Sequence, residues 1–369
     1  MIIFRYLLKE ITLSILATTT LLVMIFMCTQ FVHYLSDAAI GRFAAKILLH
    51  LMMLQLPYLL GLLLPIGFFL AILLAYGRLY TDREMIVLSS CGISQEQLLS
   101  MTMKMAVVVM LIVGVFSMWI SPRVMLAQKN LFAQAKSAPL IETMFPGRFF
   151  SLHGGKQVFY LGSMSRDRQH FQNIFIAQLD KVKSKQPQWD IVTAKRGYEF
   201  YDPDSGNSEM VIEDGVRYKG MPGQLQFQQQ KFSRVNYGIT KQNIVIAKKP
   251  ETMTMSQLWR ERDRNKDAMA ELQWRISLPI SVLLLAFFAV PMSYVNPRQG
   301  RYAAILPSVL FYIFYANMSF VSRDWIASGQ LSPYIGLWWL HGFLFLVALT
   351  VYLWRGGYLK RYKMRRAQA

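Results

Sequence analysis

Residues 47–76 read ILLHLMMLQLPYLLGLLLPIGFFLAILLAY, with one histidine, one glutamine and no charged side chain. A helix needs roughly 20 apolar residues to cross a bilayer core. At about 1.5 Å per residue this run is longer than one bilayer. It predicts a spanning helix that tilts, kinks or extends into water, with Pro57 and Pro65 as the interruptions.

Five further runs qualify as spans: Ile11 to Phe31, Met105 to Ile120, Ile276 to Val295, Ala303 to Val321, and Tyr334 to Trp354. The last carries Trp338, Trp339 and Trp354, suited to the two membrane interfaces. A chain of 369 residues that is 54% apolar, with its apolar residues in such runs, is not an ordinary soluble protein. The first run is too long for a signal-peptide core and no small-residue cleavage site follows it, so it is expected to remain as an anchor.

The formal net charge is +19. Such a balance suits nucleic acid, anionic headgroups or another polyanion; membrane location favours a lipid or lipid-like glycan. The two cysteines, Cys28 and Cys91, cannot build a disulfide framework or a thiolate metal site.

Basic residues in short loops set the orientation. Arg5 and Lys9, Arg78 and Arg83, Arg298 and Arg301, and the tail from Arg355 to Arg366 fall on one side. Only Arg42, Lys46 and Arg323 fall on the other. The positive-inside rule then places both termini in the cytoplasm and the long segment 122–273 outside.

In that segment the apolar period changes to two, as in Val158 to Leu161, Phe171 to Leu179, Trp189 to Ala194, Met210 to Tyr218 and Leu225 to Phe232. Turn clusters at 202–207 and 220–223 separate some of them. The pattern predicts an antiparallel sandwich, barrel or jelly roll, followed by a charged helical stretch from Met255 to Arg275 that leads into the fourth span. The expected fold is an α-helical membrane protein with six transmembrane helices and an inserted all-β domain. Its parts are 1–121, 122–273 and 274–369.

The chain has no phosphate-binding loop, since Gly154-Gly155-Lys156 is followed by Gln157. Its five histidines are scattered, and His341 reads best as a helix-packing residue. Neither a nucleophile elbow nor a carboxylate pair defines an enzyme.

The loop between spans two and three is the most informative. Thr81-Asp82-Arg83-Glu84 has the spacing of a capping box, with Thr81 at the N-cap and Glu84 reaching back. Met85-Ile86-Val87-Leu88 follow, Gly92 is a natural stop, and Ser94 caps the next helix with Gln97 three residues on. A short helix over about 82–91 is therefore expected to stand apart, and alone in water it would be marginal. Either it lies on the membrane surface or it docks into a groove on a cytoplasmic partner.

Arg42, Lys46 and Arg323 are expected at the opposite membrane edge, as snorkelling anchors or as a hold on the phosphates of an anionic amphiphile. In the outer segment Lys181, Lys183, Lys185, Lys195, Arg196, Arg217 and Lys219 read as a solvated face, and the aromatics among them read mainly as core. The compact basic turn Asn296 to Arg301 would also suit a partner contact.

Three stretches together resemble one family: Arg78 to Glu84 running on through Cys91-Gly92-Ile93-Ser94, Ala270 to Ile276, and Val290-Pro291 to Arg301. They are similar to the LptF/LptG permease family of the lipopolysaccharide export ABC transporter, and the 296–301 turn leans to its LptF branch. The resemblance implies a permease paired with a sister subunit (LptG), two copies of a cytoplasmic ATPase (LptB), and a periplasmic bridge protein with a membrane helix (LptC). It implies a periplasmic β-jelly roll, an inner-membrane location, and no cofactor in this chain, ATP being bound by the partner.

The short helix becomes the coupling helix, with Glu84, Arg83, Met85 and Leu88 at the ATPase contact. Arg42, Lys46 and Arg323 become candidate lipopolysaccharide contacts, and spans one, two and five face its acyl chains. The rival readings are a non-transport scaffold whose outer domain binds an envelope partner, and a membrane enzyme acting on lipid-linked sugars. The first leaves the isolated short helix unexplained, and the second lacks a convergent catalytic set.

Overall fold

The computed structural model describes residues 2–39, 47–137, 146–152, 157–165, 167, 169–180, 188–202, 207–221, 227–238, 249–294 and 305–355. Helices α1 (Ile2–Ala39), α2 (Leu48–Thr81), α3 (Glu84–Ser90), α4 (Gln95–Val115) and α5 (Ser121–Ser137) come first. Strands β1 (Phe149–Leu152), β2 (Gln157–Met164), β3 (His170–Asp180), β4 (Gln188–Asp202), β5 (Asn207–Gly220) and β6 (Phe227–Gly238) follow. The chain closes with α6 (Met255–Glu261), α7 (Lys266–Met292), α8 (Ile305–Ser328) and α9 (Trp338–Arg355).

Among the described residues, six helical stretches are long and apolar enough to cross a membrane: α1, α2, α4 continuing into α5, α7, α8 and α9. The six-span expectation and the inserted antiparallel β domain are both borne out. The fourth span begins earlier than its apolar run. The charged stretch before Ile276 belongs to the same helix, because Glu271 and Arg275 neutralise each other one turn apart inside it.

The chain forms two compact units. The first comprises Met1–Gln30, Met52–Gln128 and Ala247–Ala369. Its centre is α2 and α7, each with 61% of its apolar window buried, against 11% for α1 and 22% for α8 and for α9. On α2 the buried residues Phe68, Phe69, Ile72, Leu73, Tyr76 and Leu79 recur at helical spacing. Phe69 stacks on Phe288 of α7 and on Tyr312 of α8, at 6.1 and 5.9 Å between ring centroids. The outward side chains of α1 are apolar, with Leu16, Leu21 and Met24 more than half exposed. Hydrocarbon is the solvent such a face matches.

α1 and α2 cross at Gly67. The Thr18 hydroxyl donates to the Gly67 carbonyl at 2.9 Å, and a Cβ at Gly67 would lie 2.3 Å from Thr19 Oγ1. Only glycine permits that approach. α4 passes into α5 through a π-helical turn, Phe116–Ile120, a wide turn that lets Ser117 donate to the Arg275 carbonyl at 3.2 Å.

The second unit comprises Phe31–Leu51 and Lys129–Ile246. Its strands pair in sequence order as one antiparallel six-stranded sheet. Phe159 and Leu161, Ile174 and Ile176, Val192 and Ala194, and Met210 and Ile212 alternate onto one face and form its core. Asn173 and Asp214 take left-handed backbone conformations within their strands, at φ 54 and 53, while the register continues on either side. Asp190 holds Arg217 by paired hydrogen bonds and has Lys219 nearby, so those two cations are partnered by a carboxylate. Lys181, Lys183 and Lys185 lie outside the described residues, as does most of the turn cluster at 202–207. The short β1 and the second half of β4 were not anticipated from the alternation.

Gly67→Ala is expected to destabilise the first unit by roughly 1–3 kcal/mol through overpacking. A thermal melt in detergent checks this, and adding Thr19→Ala is expected to recover much of the loss.

Candidate functional site

Two regions of the first unit, at opposite ends of α7, carry the chemistry. Around α3 the expected cap is replaced by a different joint. Thr81 is the last residue of α2, and its hydroxyl donates to the Gly77 carbonyl at 2.9 Å instead of capping. Arg83 stands at the N-cap in a left-handed conformation, φ 62, without a side-chain cap. Glu84 does not reach back: its Oε2 accepts from the Tyr6 hydroxyl of α1 at 2.6 Å. The capping-box reading of Thr81 and Glu84 is thus corrected. A threonine inside the last turn satisfies itself on the preceding carbonyl, and a nearby phenol takes the carboxylate.

The far end of α3 follows the expectation. Gly92, at φ 88, donates to the Ser89 carbonyl, and Ile93 N–H donates to Leu88 O at 3.1 Å. That is a Schellman stop, which needs a left-handed residue after the helix. Ser94 and Gln97 then form a reciprocal capping box at the start of α4.

The helix has seven residues, Glu84–Ser90. Met85 is buried in the core, Leu88 is half-buried, and Ile86 and Val87 are 53% and 61% exposed. Beside it opens a cavity of about 360 Å³ lined by Tyr80, Ile86, Leu88, Ile93, Leu98 and Tyr294, among others. Tyr80 and Tyr294 meet edge to face at 5.2 Å. Arg355, at the end of α9, closes the wall by donating to the carbonyls of Pro291, Met292 and Tyr294. These are the acceptors a helix C-terminus leaves open.

At the other end, the polar residues of α7 each bind a different element. Arg275, 2% exposed, donates to Glu271 at 2.7 Å and to the carbonyls of Met253, Glu251 and Pro250 at 2.8, 2.9 and 3.2 Å. Glu271 gives its second oxygen to Arg323 of α8 at 2.7 Å. Gln273 holds the α8–α9 connection, donating to Pro333 O at 2.6 Å and accepting from Leu337 N–H at 3.1 Å. Ser277 and Tyr315 bracket the His341 ring at 2.7 and 2.9 Å, which makes His341 the packing residue its position implied.

Arg323 therefore has a carboxylate partner, and it lies over the Trp274 ring, 5.3 Å from its centroid. Its side chain keeps 28% of its exposure. Arg275 and Arg323 share the buried Glu271 carboxylate, and Glu251 lines the same small pocket, so two arginines face two carboxylates. Directly below Trp274 runs an apolar groove of about 260 Å³ between α1, α2, α7 and α8, lined by Leu22, Phe26, Leu62, Leu278, Tyr315 and Phe320 among others. Arg42 and Lys46, and the 296–301 turn, lie outside the described residues. Tyr6, Glu271 and Arg275 were not singled out as functional residues from the sequence. The opposite charges of Glu271 and Arg275 four residues apart, just ahead of a span, were the available signal for that pair.

An apolar groove whose Trp274 wall also borders a buried ionic cluster, and a short helix with exposed apolar residues at the other end of a six-span bundle, define a multi-pass membrane protein built as a permease. The chain belongs to the lipopolysaccharide export system permease family LptF/LptG, whose sequence model matches residues 5–355. It is 31% identical over 356 residues to the lipopolysaccharide export system permease protein LptF of Escherichia coli K12, covering 96% of this chain and 95% of that protein. The same figures hold for the LptF proteins of Escherichia coli O157:H7 and Shigella flexneri.

Arg275→Ala leaves Glu271 with one partner and three carbonyls unmet. Breaking a buried pair costs roughly 3–5 kcal/mol. Loss of folded protein in a detergent melt is the expected result, with Arg323→Gln, at the half-exposed end of the cluster, costing less.

Proposed function

We propose that this chain is a permease subunit of an ABC transporter that takes lipopolysaccharide from the outer leaflet of the inner membrane and passes it to a periplasmic bridge. The observation that carries the reading is α3. It is a seven-residue helix, too short to be stable alone, clasped to α1 and α2, with Ile86 and Val87 turned outward beside an open groove. A partner that covers those residues completes the surface. In a transporter of this family the partner is the cytoplasmic ATPase, LptB, with LptG as the second permease and LptC at the bridge.

Both termini are then cytoplasmic and the β unit periplasmic. In this reading Glu84, Arg83 and Leu88 meet the ATPase, while Met85, buried beneath them, fixes the helix rather than touching the partner. The groove between α1, α2, α7 and α8 accepts acyl chains, and Arg323 offers charge to a phosphate at its rim, in exchange for part of its bond to Glu271. ATP-driven closure acts through a difference in affinity for the lipid between two states of the groove.

Glu84→Lys is expected to reduce recovery of the ATPase with the purified chain at least tenfold, with Glu84→Ala intermediate and membrane insertion unchanged. Full recovery of the ATPase with Glu84→Lys would contradict the role of α3. Arg323→Gln is expected to lower photo-cross-linking of lipopolysaccharide to the groove several-fold. An unchanged yield returns Arg323 to a structural partner of Glu271.

A further inference from the structure

α1 joins the two regions. It runs from Ile2 to Ala39 with neither glycine nor proline, the commonest causes of a sharp kink. Near its start, Leu7 and Ile11 are fully buried, and Tyr6 donates to Glu84 on α3. The adjoining Glu10 is paired with Arg78 of α2 at 3.0 Å, and Arg78 lies 3.9 Å from Asp82. Farther along, Thr18 and Thr19 rest on Gly67, where the two backbones come closest. Beyond that point Leu22 and Phe26 form part of the apolar groove wall. From Tyr6 to Leu22 a straight helix covers about 24 Å at ~1.5 Å per residue. Ile3, Phe4 and Ile15 pack with Leu7 and Ile11 on the central core along one face of the helix, and most of the other intervening side chains are exposed or half-buried.

We infer that α1 is a lever, with the Tyr6–Glu84 hydrogen bond as its load point, the Thr18/Thr19–Gly67 contact as its fulcrum, and Leu22 and Phe26 as its working end on the groove. Tyr6 is a positioning residue: it acts on the lipid only through the helix that carries it. The inference rests on the reading that α3 meets an ATPase, and it supplies the route by which displacement of α3 changes the groove. A carboxylate can serve both contacts. Oε2 is held by Tyr6, while Oε1 has no partner among the described residues and stays open to the ATPase. The bond is charge-assisted and short, which suits a contact that must survive movement.

The test uses the whole transporter carrying Tyr6→Phe, which keeps the ring and removes only the hydroxyl. A photo-cross-linking residue in place of Leu22 reports lipopolysaccharide in the groove, with and without ATP. The expected result is normal recovery of the ATPase and sister subunits, and a cross-linking yield that falls on ATP addition in the Tyr6 protein but no longer changes in Tyr6→Phe. Transport per ATP hydrolysed is expected to drop at least fivefold. Glu84→Gln keeps an acceptor for the phenol, so the complexes it does form should keep the ATP response. A Tyr6→Phe transporter that assembles and responds as the parent does would overturn the lever. Loss of the ATPase subunits in Tyr6→Phe would overturn it too, by making the hydroxyl part of docking. If the unmodified chain recovers no ATPase, the failure belongs to the proposed function instead.

Discussion

Arg275 sits in a helix that crosses the membrane, 2% exposed. A guanidinium in so apolar a place must have its N–H groups met, since the cost of leaving them unmet is several kcal/mol. Glu271 one turn earlier takes one, and three carbonyls of the Pro250–Met253 turn take the others. That fixes the chain's return into the membrane directly against α7. The leftover oxygen of Glu271 draws in Arg323, and so α8. Gln273 and Ser277 on the same helix bind the α8–α9 connection and α9. Two polar pairs on opposite faces of one apolar helix, Glu271 with Arg275 and Gln273 with Ser277, thus decide where its neighbours stand.

The same arrangement divides the bundle into parts with different freedom. α2 and α7 are packed on most sides, whereas α1, α8 and α9 are buried mainly along one edge. Between lipid tails and leucine side chains there is no hydrophobic force to close such gaps, so packing and hydrogen bonds decide which helices hold fast. The groove lies between the more exposed α1 and α8 and the more deeply buried α2 and α7.

Much of this was legible in the sequence. The spans show as long apolar runs, and the sheet shows as alternation broken by turn residues. The Gly92 stop and the Ser94–Gln97 cap are local chemistry, decided within a few residues, and both hold. The Thr81–Glu84 cap had the same local spacing and failed, because Tyr6, 78 residues away, competes for Glu84. Arg323 read as an anchor or a phosphate contact at a membrane edge, and its partner on α7 lies 52 residues away in sequence. Long-range polar pairing inside a membrane protein leaves almost no trace in spacing. A local pair such as Glu271–Arg275 does leave one, being four residues apart on one helix.

The proposed role of this chain is as one half of an ATP-driven lipopolysaccharide extractor. It is tested most directly by purifying the unmodified chain gently from native membranes and identifying by mass spectrometry what accompanies it. The expected companions are a soluble nucleotide-binding subunit in two copies, a second six-span permease, and lipopolysaccharide. Recovery of the chain alone, or with envelope proteins and no ATPase, would contradict it and favour a membrane scaffold.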